Sequence, residues 1–347
     1  MFPTTIHNNN QRVDEFSFPF INNSASAQTL TLSVADTNII YDDGVLINAS
    51  PSLPKNRFEY KYGNTIYSVK CANAPAQVLI ASSGGTVVIK THKKCMPSNF
   101  NLSSTSTDSG LINMNLSGFT GIHVIGSSRG ISSSNKSVLT GVTLPHSDTI
   151  YSGESSTDLL DFSLSTNLKN IDMSGFHGIG GYIQAFTSPS LSALTLPTYI
   201  VDGVLPISRF YFYGCALVGP IDLSVLTNLG GSVRFHNNPL IGSITWPLTT
   251  NRITDINLSN CGVGYIDLKP LSGYSYTIGS SITIAANTNS ISKTNMNHLL
   301  VDLDNLGWGG GTLTANSGNN GYDGTSGGYD GITARLSLLV KGLIVTL

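Results

Sequence analysis

The sequence predicts a mainly-β chain: a small N-terminal β-sandwich or barrel, then a parallel β-solenoid closed by a helical C-terminal cap. Three observations carry this expectation. Only 11% of the 347 residues are charged, well under the roughly 25% usual in soluble domains. Polarity comes instead from Ser, Thr, Asn and Gly, and glutamate occurs only at Glu15, Glu59 and Glu154; such a mixture favours strands and turns over helices. From residue 111 onward, a pattern of apolar side chains also recurs along the chain.

Residues 1–26 read as a polar arm. Phe16, Phe18 and Phe20 alternate with Ser17 and Pro19, which is strand periodicity, with the proline confining it to an edge. Such an arm either docks on its own domain or inserts into a neighbouring subunit. Residues 27–100 form the β-sandwich or barrel, an attachment domain. Period-two runs (Leu30, Leu32 and Val34; Phe58, Tyr60 and Tyr62) are separated by turn signals such as Asp42-Asp43-Gly44. Val78 and Ile80, then Ser82-Ser83-Gly84-Gly85, then Val87 and Ile89 predict a β-hairpin. The Ser/Thr-rich stretch 101–110 reads as a linker, and residues 111–290 as the solenoid.

The solenoid template is apolar-x-x-apolar-x-apolar. It fits Leu111/Met114/Leu116, Leu139/Val142/Leu144, Leu168/Ile171/Met173, Leu191/Leu194/Leu196, Ile207/Phe210/Phe212 and Ile253/Ile256/Leu258. Leu229/Val233/Phe235 fits with one inserted residue, and Ile282/Ile284 is a degenerate last copy. From Ile171 onward the middle anchors are spaced 23, 16, 23, 23 and 26 residues apart, mostly within the 20–29 range of leucine-rich repeats. A second motif, apolar-Gly-x-Ile-x-apolar, recurs at Val218–Leu223, Ile241–Trp246 and Val263–Leu268, with a looser copy at Ile179–Ile183. One such turn cannot bury its own apolar face, whereas stacked turns share a continuous core. The motif glycine permits a tight return of the backbone. Gly214-Cys215, Asn237-Asn238 and Ser259-Asn260 follow the strands, where they can satisfy turn backbone groups.

Residues 291–347 read as the cap. Ser292 is placed to N-cap a helix through about Leu306, with Met296, Leu299, Leu300 and Leu303 on one face and Gly307 ending it. A Gly-rich loop with two Tyr-Asp-Gly copies follows, then a short helix to Lys341 and a strand over Leu343–Leu347.

The segments Leu139–Pro145 and Leu191–Pro197 resemble the irregular leucine-rich repeats of bacterial surface proteins, and Phe212-Tyr213-Gly214-Cys215 followed by Val218-Gly219 is similar to their turn. The C-terminal order of helix, Gly-Gly-Gly-Thr312-Leu313, Asn/Gly loop and second helix looks like the repeat-capping ends of bacteriophage tail and virion proteins. The resemblance covers about residues 111–347; residues 1–100 carry none. It implies a leucine-rich-repeat-like solenoid on a phage spike, vertex or tail-fibre protein located in the virion. Other virion proteins are then partners of the N-terminal domain, a host-surface glycan or protein is the partner of the repeats, and a homo-oligomer such as a trimer is open. A bacterial surface or secreted adhesin is the alternative. The opening residues lack the basic and apolar regions of a signal peptide, which a protein released by lysis does not need.

Charge and motifs narrow the function classes. A net charge of −2 gives no pull toward nucleic acid or anionic membrane, and the one basic cluster (Lys90, His92, Lys93, Lys94) reads as a solvated strand end. No apolar run is long enough to span a membrane. The seven histidines are scattered, and no HExxH, GxSxG, Walker-type or GxGxxG pattern occurs. The chain is therefore expected not to be an enzyme, with no cofactor and no metal. Asp161, Asp172, Asp222, Asp255 and Asp267 read as turn caps or outward strand residues. Asp323 and Asp330 match no known calcium loop. Cysteines 71, 95, 215 and 261 read as buried thiols, with a Cys71–Cys95 bond open in an oxidising medium. If the template holds, outward side chains of neighbouring strands line up. The candidate receptor-binding residues are then Arg209, Tyr211, Tyr213, Arg234, His236 and Asn257, since aromatic and Arg side chains dominate contact energetics.

Overall fold

A computed structural model describes residues 112–119, 130–148, 160–248, 253–271, 289–315 and 321–347 with their side chains, and elsewhere the backbone of individual strands. Two parallel ladders build the repeat region. The long face runs through Asn99–Ser104, Gly130–Ser132, Leu159–Asp161, Gly181–Gln184, Ile207–Tyr211, Leu229–Arg234, Ile253–Asn257, Thr283–Ala285, Thr312–Thr314 and Ile344–Thr346. The short face runs through Asn113–Asn115, Gly141–Thr143, Asn170–Asp172 and Ala193–Thr195, and resumes as Ile221–Asp222 paired with Ile244–Thr245. The chain thus forms a β-solenoid in which, among the described residues, six short-face strands are each followed by a long-face strand.

The register corrects the single repeat template. The segments centred on Met114, Val142, Ile171 and Leu194 are stacked neighbours on the short face. Those centred on Phe210, Val233, Ile256 and Ile284 are stacked on the long face. The 16-residue step from Leu194 to Phe210 is the crossing from one face to the other within one turn. The full in-register series on the long face is Ile131, Leu160, Ile183, Phe210, Val233, Ile256, Ile284, Leu313 and Val345. Two copies of the Gly-x-Ile motif form short-face strands of the later turns, with Ile221 opposite Ile244; the copy at Val263–Leu268 forms no strand, and the looser copy at Ile179–Ile183 runs into the long-face strand Gly181–Gln184. Both motifs bury their anchors because the two faces share one interior, in which Phe210, Phe212 and Phe235 pack ring against ring at 4.8–6.2 Å.

The turn that leaves the long face repeats as strictly as the strands. Asn135, Leu164, Thr187, Gly214, Asn237 and Asn260 all take a left-handed conformation, with φ between 52° and 64°. The residue after each is buried: Lys136, Ser165, Ser188, Cys215, Asn238 and Cys261. From Ser165 on, that buried side chain donates to the carbonyl of the residue that follows a long-face strand. Ser165 reaches Ser133 O at 3.4 Å, Cys215 reaches Ala185 O at 3.1 Å, and Cys261 reaches Phe235 O at 3.1 Å. Asn238 Nδ2 donates to Phe212 O at 2.7 Å and Phe235 O at 2.6 Å, while its Oδ1 accepts from Leu217 N at 3.1 Å. Asn289 does the same for Leu258 O and Cys261 N. Burial pushes the Cys215 and Cys261 thiols up to about 11 and about 12, so both stay neutral donors. Cys71 and a Cys71–Cys95 bond lie outside the residues described with side chains, as does the basic cluster at 90–94.

Upstream, antiparallel strands adjoin the solenoid. Asp14–Asn22, read as part of an arm, is a strand paired with Gly85–Thr91 and Ser109–Leu111. Residues 101–110, read as a linker, supply the end of Asn99–Ser104 and the start of Ser109–Leu111. Asn99–Ser104 pairs antiparallel with Gln28–Val34 and parallel with Gly130–Ser132, so it couples the N-terminal strands to the first coil. The expected hairpin over 78–89 does not form: Ala76–Ile80 pairs with Gln28–Val34, whereas Gly85–Thr91 pairs with Asp14–Asn22 and Arg57–Tyr62.

The C-terminal segment extends the solenoid. Helix α1 (Lys293–Asn305) begins at Ser292, whose hydroxyl accepts from Asn295 N at 3.2 Å, and buries Met296, Leu299, Leu300 and Leu303. Helix α2 (Gly331–Val340) begins at Asp330. Each helix sits between two successive strands of the long face, taking the place held by a short-face strand in earlier turns. The last coil therefore ends on the strand Ile344–Thr346 with α2 beside it.

Two glycines separate the demands of this backbone. Gly231 has φ +62° and a Cβ there would run into the Ser208 carbonyl, whereas Gly242 has φ +75° and open space. Gly242→Ala should cost about 1 kcal/mol, the left-handed penalty alone. Gly231→Ala should cost about 3 kcal/mol or more, since strain and overlap add. Urea unfolding of the two variants, compared with the parent chain, checks the ranking.

Candidate recognition surface

Strand alternation decides what the long face shows to solvent. In each strand the core anchor is flanked by outward residues, and parallel register stacks these into columns. One column holds Tyr182, Arg209, Ser232 and Asp255; the next holds Gln184, Tyr211, Arg234 and Asn257. A third continues past the strands through Phe186, Tyr213 and His236, whose backbones are linked by Thr187 N to Tyr213 O and Gly214 N to His236 O, both 2.8–2.9 Å.

The columns interlock. The Arg209 guanidinium lies over the Tyr182 ring at 4.2 Å, and that of Arg234 over Tyr211 at 5.0 Å. Tyr213 is stacked between Phe186 (5.0 Å) and His236 (4.3 Å), and Tyr211 tilts against Tyr213 at 6.2 Å. Arg234 Nε donates to Asp255 Oδ2 at 2.7 Å, and Ser232 Oγ donates to the same oxygen at 2.7 Å. Each contact at such exposure is worth only about 0.5–1 kcal/mol. Their effect is to fix rotamers, so that three tyrosines, two arginines and a histidine stand in one arrangement before any ligand arrives.

Of the six residues expected at the site, Arg209, Tyr211, Tyr213, Arg234 and His236 come together. Asn257 stands in register beside Arg234, but its Oδ1 accepts from Ser259 N at 3.1 Å and so caps its own turn. Tyr182 and Phe186 belong to the surface and were missed, because their strand Gly181–Gln184 was not aligned with Ile207–Tyr211. The alternation Tyr182, Ile183, Gln184, Ala185, Phe186 against Arg209, Phe210, Tyr211, Phe212, Tyr213 is the signal that identifies them. Asp161, Asp172, Asp222 and Asp267 are turn caps, each accepting from the amide two residues on at 2.9–3.0 Å. Asp255 departs from them by facing Arg234.

Neither a family model, a curated protein nor a solved structure matches this chain. Its surface must therefore be read from its own chemistry. Among the described residues no three His, Cys, Asp or Glu side chains gather as metal ligands, and no helix is long and apolar enough to cross a membrane. Asp323 accepts from Ser326 N, Ser326 Oγ, Thr325 N and Asn297 Nδ2, and these bonds hold its carboxyl well below the usual range. Asp330 accepts from Thr333 N and Oγ1 and caps α2. The two Tyr-Asp-Gly loops are thus spent on the local fold. A separate Asp148–His177–Tyr199 contact, at 2.7 and 2.8 Å, ties three successive short-face turns.

His236 gives the surface a pH response. Burial first, and the Arg234 charge second, lower its imidazole from the ordinary value, and its Nδ1 is buried without a hydrogen-bond partner. Between the lowered and ordinary values the unfolded chain holds the extra proton. Stability contributed by neutral His236 is therefore present above the ordinary value near pH 6.5 and is lost as pH falls through that window. Urea midpoints measured from pH 7.5 to 5 should fall, and His236→Gln should flatten the slope.

Proposed function

We propose that this chain is a non-enzymatic recognition protein of a phage virion, of the spike, vertex or tail-fibre type. Its N-terminal part, a small sandwich or barrel, attaches to the particle. Its leucine-rich-repeat-like solenoid binds a host-surface glycan or protein. The observation that carries the reading is the interlocked Tyr182, Arg209, Tyr211, Tyr213, Arg234 and His236 cluster on a rigid sheet. Tyrosine and arginine supply large contact area and forked donors at little further cost in side-chain freedom, which is what a binding hot spot requires. Ring faces suit the apolar faces of sugars; guanidinium groups suit carboxylates on acidic glycans or proteins. The C-terminal resemblance to virion proteins supports the particle assignment, and the rarity of charge supports contact through neutral polar and aromatic groups.

Tyr211→Ala and Arg234→Ala should each cost about 2 kcal/mol, roughly thirty-fold in Kd, in binding of the purified chain to host cells. Thr195→Ala, exposed on the short face, should leave binding unchanged. Unchanged binding by both platform variants refutes the recognition role. Antibody labelling of intact particles tests the virion assignment; label on bacterial envelopes and none on particles favours the adhesin instead.

A further inference from the structure

We infer that the short face carries a second binding site, a cavity between two coils that takes a neutral saccharide. The three Gly-x-Ile copies show how it arises. The first two are laced together: Ile221 N donates to Ser243 O at 3.0 Å, and Leu223 N to Thr245 O at 2.8 Å. The second and third are joined at their start, by Gly242 N to Cys261 O at 3.2 Å. Beyond that rung the third copy, Val263–Leu268, forms no strand and is held by helix α1 instead. Asn295 Nδ2 donates to Gly264 O at 2.6 Å, the Tyr265 ring stacks on His298 at 5.0 Å, and Lys269 Nζ lies 3.5 Å from Asp302 Oδ1. The two coils part, and a cavity of about 480 Å³ opens between them, in the size range of small-molecule sites.

The walls set the class of ligand. In the parallel ladder the Ser243 and Thr245 carbonyls point at the coil before. Alternation turns the N–H and C=O of Ile244 the other way, toward the cavity it lines, and no described residue of the third copy bonds them. Ser243 and Thr245 on one wall and Tyr265 and Asp267 on the other hold the same two outward positions of the motif. Asp267 Oδ1 accepts from Lys269 N at 3.0 Å, and its Oδ2 accepts from no described residue. A sugar ring presents hydroxyls that both donate and accept, and an apolar face. Peptide N–H and C=O, carboxylate, amide and serine hydroxyl match the first, and the Tyr265 ring matches the second. No Lys or Arg lines the cavity, so an acidic ligand would meet Asp267 without a countercharge. A peptide strand fits less well, since Ile244–Thr245 offers an edge of two residues and the Gly242 rung closes one end. His298 is itself packed on Tyr329 at 4.0 Å, so the Tyr265 wall is set before a ligand arrives.

Calorimetric titration of the full chain with glucose, galactose, mannose, rhamnose, N-acetylglucosamine, lactose and cellobiose should find a ligand with a Kd of about 1 mM or tighter. Asp267→Asn, which keeps the turn cap and removes the charge, should weaken that binding at least tenfold, as should Tyr265→Ala, with the circular dichroism spectrum unchanged. Thr195→Ala, on an earlier coil of the same face, should leave it unaltered. Silence across the panel overturns the proposal, and so does tighter binding of glucuronate than of glucose. If Tyr265→Ala fails to fold, Ser243→Trp decides, because it fills the cavity from an exposed position. Sugar binding that survives Ser243→Trp lies elsewhere and overturns the proposal too. None of these outcomes depends on whether the Tyr/Arg face binds a receptor.

Discussion

Backbone hydrogen bonds passed from each coil to the next are the constraint on which everything else here depends. A single coil can neither bury its apolar anchors nor satisfy its own peptide groups, so every coil must repeat the path of the one before it. The left-handed turn leaving the long face shows how narrow that path is. Asparagine, threonine, leucine and glycine all occupy it, with φ confined to 52–64°. The geometry is conserved from coil to coil although the residue is not. The buried position after it behaves likewise. Serine, cysteine and asparagine share only a small side chain able to donate to the carbonyl just past a strand, and a buried carbonyl without a donor costs about 1–3 kcal/mol. That is why thiols with raised pKa values serve in a ladder otherwise made of hydroxyls and amides.

Much of this was legible from periodicity alone, and the error that periodicity produced has a physical cause. Leu168/Ile171/Met173 and Ile207/Phe210/Phe212 obey one pattern because both faces pack on the same interior with the same pleat. Alternation reports that a side chain is buried and says nothing about which face buries it. The 16-residue interval and the second, Gly-x-Ile motif were traces of the second face, intelligible once each coil is seen to hold two strands. Helix α1 was readable because Ser292 and the Met296, Leu299, Leu300, Leu303 spacing are local signals. The partner exchange of Ala76–Ile80 and Gly85–Thr91 was not readable, since Ser-Ser-Gly-Gly suits a tight turn and a crossing equally well.

The candidate site was legible in part for the same reason. Outward residues follow automatically from a correctly placed strand, so Tyr211 and Arg234 could be named from their neighbours Phe210 and Val233. Tyr182 and Phe186 could not, because the glycines of Ile179–Ile183 pointed to the other motif. Asn257 and Asp255 show the limit of arguing from residue type. Both are short Asx side chains, two residues apart on one strand. One reaches its own turn at Ser259, and the other reaches across to Arg234 and Ser232. Only the pairing partner, set by the coil before, distinguishes a cap from a surface residue.

The scarcity of charge gives the long face its character. On a surface decorated mainly by hydroxyls and amides, two arginines laid over tyrosines are conspicuous, and Asp255 partly neutralises one of them. Such a face generates little long-range field, so it does not steer partners from a distance. What it offers is contact: flat rings whose partners are fixed on one side, forked donors held in place, and a rigid sheet beneath. The same economy applies at the solenoid's end, where arginine and lysine are drawn inward to Tyr322 and Asp304 and an uncharged helix face remains. In both places the fold has used its few charges to organise neighbouring side chains, and has left apolar and aromatic area exposed.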